Sequence, residues 1–315
     1  MNCPICRHQQ TGVIMKSYDD RYGHPGLYTL MRCGQCGHQF LDCDMSSDQL
    51  IELYTNYYPR KSFDIATYKA YAEASGFFAW LSGLRCSAFR WVPRNVRVLD
   101  VGCGFGESLG YHSARGCDVY GIEADENIRR VVDRFGYKVH VGLFDDTLYE
   151  ENFFDFVTMD QVIEHVKDPI STLCGVARIL KPGGTAILST PNARGWGATL
   201  FRRRWINWHS PYHLQFFTRQ SMRLAAQQAG LVLTEVKTVT NSEWLLYQWI
   251  HLITCPLPGN PSSFWSPNKS GQVFYQRVVA RLLSLAHKTR VDHWITRLFD
   301  ALAVGDNFVF VLKKP

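Results

Sequence analysis

The sequence has 315 residues, of which 46% are apolar and 20% charged, and its formal net charge is +6. This length suits one large domain or a large domain with an appendage, and the composition excludes a disordered chain, a collagen-like repeat and a coiled coil. The basic excess is concentrated in residues 270–315 and 202–204. Such a distribution suits an anionic small molecule or a membrane face better than a long nucleic-acid groove.

Two C-x-x-C pairs occur within the first forty residues: Cys3 with Cys6, and Cys33 with Cys36. Four thiolates can surround Zn²⁺ in a closed tetrahedral site, whereas redox disulfides or unrelated thiols are the less favoured alternative. We therefore predict a structural zinc ribbon over residues 1–43. His38 is the residue that could replace one of the cysteines as a ligand. This segment has four basic and three acidic residues and no basic stripe, so nucleic-acid binding is not expected.

Residues 44–93 are predicted to form a helical linker or cap. Ser46 and Gln49 have the spacing of a capping box, which indicates a helix start. A longer helical pattern covers residues 65–91 and is rich in aromatic residues, which at helical spacing more often pack a core than bind a ligand. A Pro-Arg-Asn break at 93–95 marks the start of the main domain.

From residue 94 the chain alternates between β-branched runs and helical stretches. This pattern predicts an α/β domain with a mostly parallel sheet and helices on both faces. Ligands of such sheets bind at the carboxyl ends of the strands. The predicted strands cover residues 96–101, 119–122, 138–141, 154–159, 185–189, 231–239 and 307–312.

A glycine-rich turn follows the first of these strands. Gly102, Gly104 and Gly106 would let the backbone approach a ligand closely. The last glycine of a dinucleotide fingerprint is replaced by Glu107, an acid that would also repel a pyrophosphate at the helix N-terminus. A dehydrogenase is therefore disfavoured, and Glu123, after the second strand, can accept both hydroxyls of a ribose.

Four features in this order closely resemble the class I S-adenosylmethionine-dependent methyltransferases. They are V-L-D-V-G-C-G-F-G at 98–106, the acid at 123, V-I-E-H-V at 162–166 and L-K-P-G-G at 180–184. The resemblance covers roughly residues 94–240 and the final strand. It implies a Rossmann-like sheet of seven strands, with the last two strands antiparallel neighbours, and S-adenosylmethionine as cofactor.

The resemblance also implies which residues contact the cofactor. The aspartate and glycines of the turn would contact its methionine part, and the acid at 123 would bind its ribose. Residues 143 and 144 would lie beside its adenine, and residues 160 and 161 beside its amino group and reactive methyl. Many relatives have Asp in place of the leucine at 143. The implied set is Asp100, Gly102, Gly104, Gly106, Glu123, Leu143, Phe144, Asp160 and Gln161.

A finer resemblance concerns the methyl acceptor. The cysteine pairs, the E-H at 164–165 and the P-x-H-L-x-F-F-T at 211–218 look like a bacterial subgroup associated with sugars, surface-polysaccharide precursors and other hydroxylated metabolites. We expect a small hydroxylated acceptor, most plausibly a sugar, with O-methylation favoured. The arginines at 202–204 could pair with the phosphates of a nucleotide-linked or lipid-linked form.

A hydroxyl acceptor needs a base, and histidine is best suited near pH 7. We predict His165 or His213 as that base and His209 as a core histidine. Related ubiquinone-pathway and small-RNA 2′-O-methyltransferases have E-x-x-E-H, which can hold a divalent ion. Gln161 replaces the first acid here, so no catalytic metal is predicted.

Residues 241–304 are predicted to be a helical insertion between residues 94–240 of the core and its final strand at 305–315. A basic amphipathic helix at 273–288 suits a lid packed on the domain, with docking on a membrane as the second option. The sequence shows no signal-peptide core and no apolar stretch of spanning length. We expect a cytoplasmic location, with contact to the inner face of the membrane left open.

Two other functions remain as alternatives. One is the same fold and cofactor acting on RNA or its nucleotides, which the weakly charged ribbon disfavours. The other is a catalytically silent zinc-ribbon adaptor that keeps the cofactor pocket. Histidines that all point away from the sulfonium would favour the adaptor.

Overall fold

The computed structural model describes residues 2–43, 45, 49, 53–57, 64–265 and 273–315. Ser46 lies outside these residues, so the capping box predicted there is not part of the description. Within the described part, strands form two sheets, one of four strands and one of seven.

The smaller sheet is the antiparallel ribbon. β1 (Thr11–Ser17) pairs with β2 (Tyr28–Cys33), and β2 pairs with β3 (Gln39–Asp42). Its fourth strand, β9 (Gln215–Phe216), comes from the larger domain and pairs antiparallel with β3. The ribbon sheet is therefore completed by the domain on which it sits.

The larger sheet has the order β10-β11-β8-β7-β4-β5-β6. β4 to β8 run parallel, and β11 is antiparallel to both β8 and β10. Its strands are β4 (Arg97–Val101), β5 (Asp118–Glu123), β6 (Lys138–Val141), β7 (Phe154–Asp160), β8 (Leu180–Pro191), β10 (Val232–Thr238) and β11 (Asn307–Lys313). The predicted fold class is confirmed, and all seven predicted strands are present. β8 is longer than predicted, since it begins at Leu180, within the expected L-K-P-G-G turn, and ends at Pro191.

Helices cover both faces of this sheet. Neighbouring residues of β4 point to opposite sides, and each side packs in a separate buried cluster. Val98 lies in one buried cluster with Leu109 and Val131, and Leu99 lies in another with Leu173. The described helices are α1 (Gly76–Ser82), α2 (Glu107–Ser113), α3 (Arg129–Phe135), α4 (Pro169–Ile179), α5 (Trp196–Phe201), α6 (Arg219–Gln228), α7 (Ser242–Thr254), α8 (Phe274–Lys288) and α9 (Val291–Ala301).

The helical region predicted over 65–91 is not one helix. It consists of α1 and three short 3₁₀ turns at Ile65–Thr67, Leu84–Cys86 and Ala88–Trp91. Gly83 ends α1 in the left-handed conformation, with φ of 71°, which is a common helix stop. The basic helix predicted at 273–288 is present as α8, whereas α9 was not predicted. No helix in the described ranges is long and apolar enough to cross a membrane.

Candidate active site and metal centre

The glycine turn between β4 and α2 forms one wall of the candidate site. Gly102 and Gly104 have φ of 72° and 58°, a conformation that side chains rarely adopt. A Cβ on Gly102 would come within 2.5 Å of Val162 Cγ2, whereas one on Gly104 would enter open space. The Gly104 amide donates a hydrogen bond of 2.8 Å to Glu123 Oε2. The turn and the acid at the end of β5 therefore form one unit.

Glu123 is held at both carboxylate oxygens, because Oε1 accepts from the Asp125 amide at 2.8 Å. Burial raises the pKa of this carboxyl. The Gly142 amide donates to the Glu123 carbonyl at 2.8 Å, so the following loop runs past the same acid. In that loop Phe144 packs on the core, while Leu143 is 80% exposed and can still cover a flat ligand.

Asp100 is buried beneath the glycine turn. Its carboxylate accepts hydrogen bonds from the Ser108 hydroxyl of α2 and, at 2.6 Å, from the Thr158 hydroxyl of β7. Burial raises its pKa to about 7. Asp100 thus fixes where α2 starts relative to the sheet, and sequence reasoning missed both hydroxyl partners.

Asp160 and Gln161 lie at the carboxyl end of β7, as predicted. Asp160 accepts from the Ala88 amide at 3.2 Å and from the Ser189 hydroxyl. The Gln161 amide group donates to Ser189 Oγ at 3.2 Å and to Asn307 Oδ1 at 2.9 Å. Gln161 is therefore tied to the neighbouring strands β8 and β11.

The two histidines predicted as bases are brought together, with ring centroids 4.7 Å apart. His165 Nδ1 lies 3.0 Å from the Tyr212 carbonyl, and His213 Nδ1 lies 2.8 Å from the Asn207 carbonyl. A carbonyl can only accept, so each ring has its proton on Nδ1 and its lone pair on Nε2. Burial lowers the pKa of His165 to about 4 and that of His213 well below its usual value. Both rings are neutral at pH 7.

Glu164 adds a carboxyl group to these histidines. It is fully buried, neither of its oxygens has a hydrogen bond of ordinary geometry among the described residues, and burial raises its pKa to about 8. One ligand atom each from Glu164, His165 and His213 lie within 4.8 Å of one another. Such a group can hold a cation or serve proton transfer, and Gln161 does not join it.

A loop of the ribbon forms a wall beside the histidines. Tyr22 packs edge-on against His209 and Tyr212, with centroids 5.7 and 5.5 Å apart. Arg21 donates to the Ile206 carbonyl at 2.5 Å. This contact could not be predicted from the sequence, because it depends on how the ribbon docks on the core.

The four predicted zinc ligands converge. Their sulfur atoms lie within 4.8 Å of one another, with Cys3 to Cys36 at 3.6 Å and Cys6 to Cys33 at 3.5 Å. Tetrahedral Zn–S bonds of about 2.3 Å give S···S edges of about 3.8 Å, so this donor set fits zinc. His38 is not a ligand.

His38 instead joins the ribbon to the core. Its Nε2 lies 2.9 Å from Gln215 Oε1 and its Nδ1 lies 3.3 Å from Ser221 Oγ. Burial lowers its pKa to about 4, so the ring bridges the two partners as a neutral group.

A cavity of about 460 Å³ opens between the ribbon sheet and the loop after β8. Among the described residues, its lining includes Arg32, Arg194, Arg202, Arg203 and Trp208 and no acidic residue. Burial and the charge of Arg32 lower the pKa of Arg194. Like charges gathered around one space favour an anion there.

Comparison with known proteins places these features in a family. The profile of a family described as "Methyltransferase domain" matches residues 69–236. A solved structure, phosphoethanolamine N-methyltransferase 2 of Haemonchus contortus in complex with S-adenosyl-L-methionine, superposes with a TM-score of 0.50 at 20% identity. It covers 88% of this chain and 62% of that one, and at this identity the likeness shows the fold.

Two curated relatives are named ubiquinone biosynthesis O-methyltransferase. The protein of Aromatoleum aromaticum is 36% identical over 123 residues, which are 35% of this chain and 52% of the relative. That of Alkalilimnicola ehrlichii is 38% identical over 103 residues, which are 30% of this chain and 42% of the relative. The chain thus spans about half the length of these relatives.

Proposed function

Because the chain belongs to the methyltransferase-domain family and has the class I methyltransferase fold, we propose that it transfers a methyl group from S-adenosylmethionine to a hydroxyl group of a small acceptor. The observation that carries this proposal is the hydrogen bond from the Gly104 amide to Glu123. This bond places the open backbone of the glycine turn next to a carboxylate. A nucleoside with a cationic sulfur requires both, the backbone for close approach and the carboxylate to accept the ribose hydroxyls.

The reaction is an in-line displacement at the methyl carbon. The C–S bond breaks as the C–O bond forms, the thioether leaves without help from an acid, and the acceptor's hydroxyl proton must be removed. The enzyme therefore mainly positions the acceptor. Nε2 of His165 or His213 takes the proton, because both rings are neutral and His165 keeps part of its surface accessible. The proximity of Glu164, His165 and His213 favours an enzyme over a catalytically silent adaptor.

The names of the curated relatives support oxygen as the methyl acceptor. They give no support to the sugar that the finer sequence resemblance favoured, since both names refer to ubiquinone biosynthesis. A small hydroxylated molecule is the acceptor that we retain.

The arginine-lined cavity supports an acceptor that has a phosphate or diphosphate group. Trp208 lines this cavity, and the next residue, His209, lies 4.9 Å from His213 between ring centroids. An acceptor anchored there by its anionic end could thus present a hydroxyl to the histidines. We propose a phosphate-bearing acceptor of this kind in place of the nucleotide-linked or lipid-linked sugar that the sequence suggested.

Calorimetry with S-adenosylhomocysteine tests the cofactor site. Glu123→Ala removes an acceptor of charge-assisted hydrogen bonds worth about 1.5–3 kcal/mol, so binding should weaken roughly 10–100-fold. Glu126→Ala, which breaks an exposed pair with Arg129, should bind as the wild type does. Absence of wild-type binding, or equal binding by Glu123→Ala, contradicts the proposal.

Inorganic pyrophosphate tests the arginine cavity. We expect the wild type to bind it and the Arg32→Gln/Arg203→Gln double variant to bind at least tenfold more weakly, as loss of two charge-assisted pairs requires. Arg223→Gln, an exposed change on α6, is the matched control. Equal binding by both variants would remove the phosphate-bearing acceptor and leave the methyl-transfer proposal intact.

A further inference from the structure

Helix α9 is amphipathic, but its polar side is buried and its apolar side is exposed. It turns polar side chains toward the protein, where His293, Thr296 and Arg297 are buried. The opposite face is apolar and exposed along its whole length. That face consists of Val291, Trp294, Ile295, Leu298 and, just past the helix end, Leu302.

Buried partners fix α9 in this orientation. Arg297 donates to the Trp80 carbonyl at 2.8 Å and to the Thr240 carbonyl, and pairs with Asp300 at 2.7 Å. Rotating the apolar face inward would leave the guanidinium without these partners, which is costly for a buried charge. The exposed apolar face is therefore a stable feature of the fold.

Helix α1 extends the apolar face with three aromatic side chains. Phe77 and Trp80 each lie 5.8 Å from Trp294 between ring centroids, and the Arg290 guanidinium lies 4.3 Å from the ring of Phe78. These aromatic rings are each at least half exposed. We call the exposed apolar residues of α1 and α9 the aromatic face.

Helix α8 offers a second exposed apolar stripe. Phe274, Val278, Leu282 and Leu285 follow one another at helical spacing and are exposed, whereas the opposite side of the helix is only partly buried. Basic side chains lie along one edge of the stripe. They are Arg277, Arg281 and Lys288.

The charges around these stripes are one-sided. Residues 273–303 contain five basic side chains and two acidic ones, Asp292 and Asp300. Asp292 is held by His287 and His293, and Asp300 by Arg297 and the Thr240 amide. Arg281, Lys288 and Arg290 thus face solvent beside the apolar stripes. A second copy of this chain would bring like charges together, whereas an anionic lipid surface complements them.

We propose that the aromatic face and the α8 stripe dock this protein on an anionic lipid bilayer. Exposed apolar patches of this kind mark interaction sites. Aromatic rings next to Arg and Lys suit the boundary between headgroups and acyl chains. No described helix can span a bilayer, so the contact is peripheral. The surface is independent of the acceptor's identity.

The aromatic face is also continuous with the candidate active site. The chain passes from α1 through the short turn at Leu84–Cys86 to Ala88, whose amide donates to Asp160 at 3.2 Å. On the same path the Cys86 carbonyl accepts from Asn307 Nδ2 at 3.1 Å. Docking through α1 therefore places the carboxyl edge of the sheet close to the lipid surface.

Vesicle sedimentation of the full chain tests this proposal. We expect binding to vesicles of phosphatidylcholine with about one quarter phosphatidylglycerol, and much weaker binding to phosphatidylcholine vesicles. Trp294→Ser/Leu298→Ser should lower the partition coefficient at least tenfold, because two apolar side chains leave the lipid. Arg281→Gln/Lys288→Gln should lower it about fivefold per charge on anionic vesicles.

The controls distinguish binding through this surface from nonspecific hydrophobic adsorption and from self-association. Leu257→Ser replaces an exposed leucine outside the aromatic face and should leave binding unchanged, and all variants should keep the wild-type affinity for S-adenosylhomocysteine. Equal binding to both vesicle types, or by the Trp294→Ser/Leu298→Ser variant, overturns the proposal. A dimer of the wild type in light scattering that is absent in the Trp294→Ser/Leu298→Ser variant would also overturn the proposal.

Discussion

At the scale of single residues, the proposed acceptor side of the pocket depends on three titratable groups, of which Glu164 and His213 are buried and His165 is partly exposed. His165 and His213 each have a lone pair on Nε2, while Glu164 has a pKa raised to about 8 and is protonated at pH 7. A divalent cation would first have to displace that proton, and Gln161 is bonded elsewhere. Because Gln161 leaves this set with a single carboxyl group, we propose proton acceptance by a histidine as its role.

We therefore expect methyl transfer to survive treatment with EDTA that leaves the ribbon's zinc in place. His165→Ala or His213→Ala should lower kcat about 10²–10⁴-fold, with S-adenosylhomocysteine binding kept. The measurements are kcat with and without EDTA and zinc content after chelation. Loss of activity that Mg²⁺ or Mn²⁺ restores would contradict the prediction and assign the same residues to a cation.

His112 of α2 makes stability depend on pH. It is buried, neither ring nitrogen has a hydrogen-bond partner among the described residues, and burial lowers its pKa from 6.5 to about 3. The folded state therefore binds fewer protons than the unfolded state between these values, and the free energy of unfolding falls as pH drops below 6.5. Between pH 7 and pH 5 this residue's share is about 2 kcal/mol.

His112→Leu should remove that share. The difference in the free energy of unfolding between pH 7 and pH 5, measured by urea denaturation, should shrink by about 2 kcal/mol. His140→Gln, a change at an exposed histidine, is the matched control. An unchanged difference in His112→Leu would show that the ring is protonated in the folded state.

At the scale of elements, local sequence predicted the strands and the glycine turn because β-branched runs and glycines act on their own neighbourhood. It did not predict β9, since a two-residue strand exists only through pairing with β3. The hydroxyl partners of Asp100 were missed for the same reason: they depend on how α2 and β7 pack. The apolar side of α9 would ordinarily indicate a buried face, but the buried polar residues His293, Thr296 and Arg297 orient it outward.

The junction between ribbon and core can be tested at His38. His38→Ala leaves Gln215 and Ser221 without their shared partner in a buried place, so we expect a loss of about 1–3 kcal/mol in stability. Gln220→Ala, which removes an exposed bond to the Gln35 carbonyl, should cost far less. Equal melting temperatures for the two variants would mean that the histidine bridge adds nothing.

At the scale of the whole molecule, the ribbon and the methyltransferase domain share one core. Cys3, Ile5, Cys33 and Cys36 belong to the same buried cluster as Phe217 and Met222. The Thr218 hydroxyl donates to the Cys36 carbonyl at 3.1 Å. Metal binding at the four cysteines should therefore stabilise the cofactor domain as well as the ribbon.

We expect one zinc ion per chain and a single thermal transition in the holo protein. Cys6→Ser should lower the temperature of that entire transition and weaken S-adenosylhomocysteine binding, because the ligand binds only the folded state. Calorimetric scans and metal analysis measure both quantities. A separate ribbon transition beside an unchanged transition of the cofactor domain would show that the two parts fold independently.

The pairing of β3 with β9 has a consequence for the order in which the nascent chain can assemble. The cysteine pairs leave the ribosome before the larger domain does, and the strand that completes their sheet is synthesised roughly 170 residues later. At about 5–20 residues per second, that interval lasts roughly 10–30 s. Metal capture can therefore precede completion of the ribbon sheet, one edge of which stays unpaired until β9 has been synthesised.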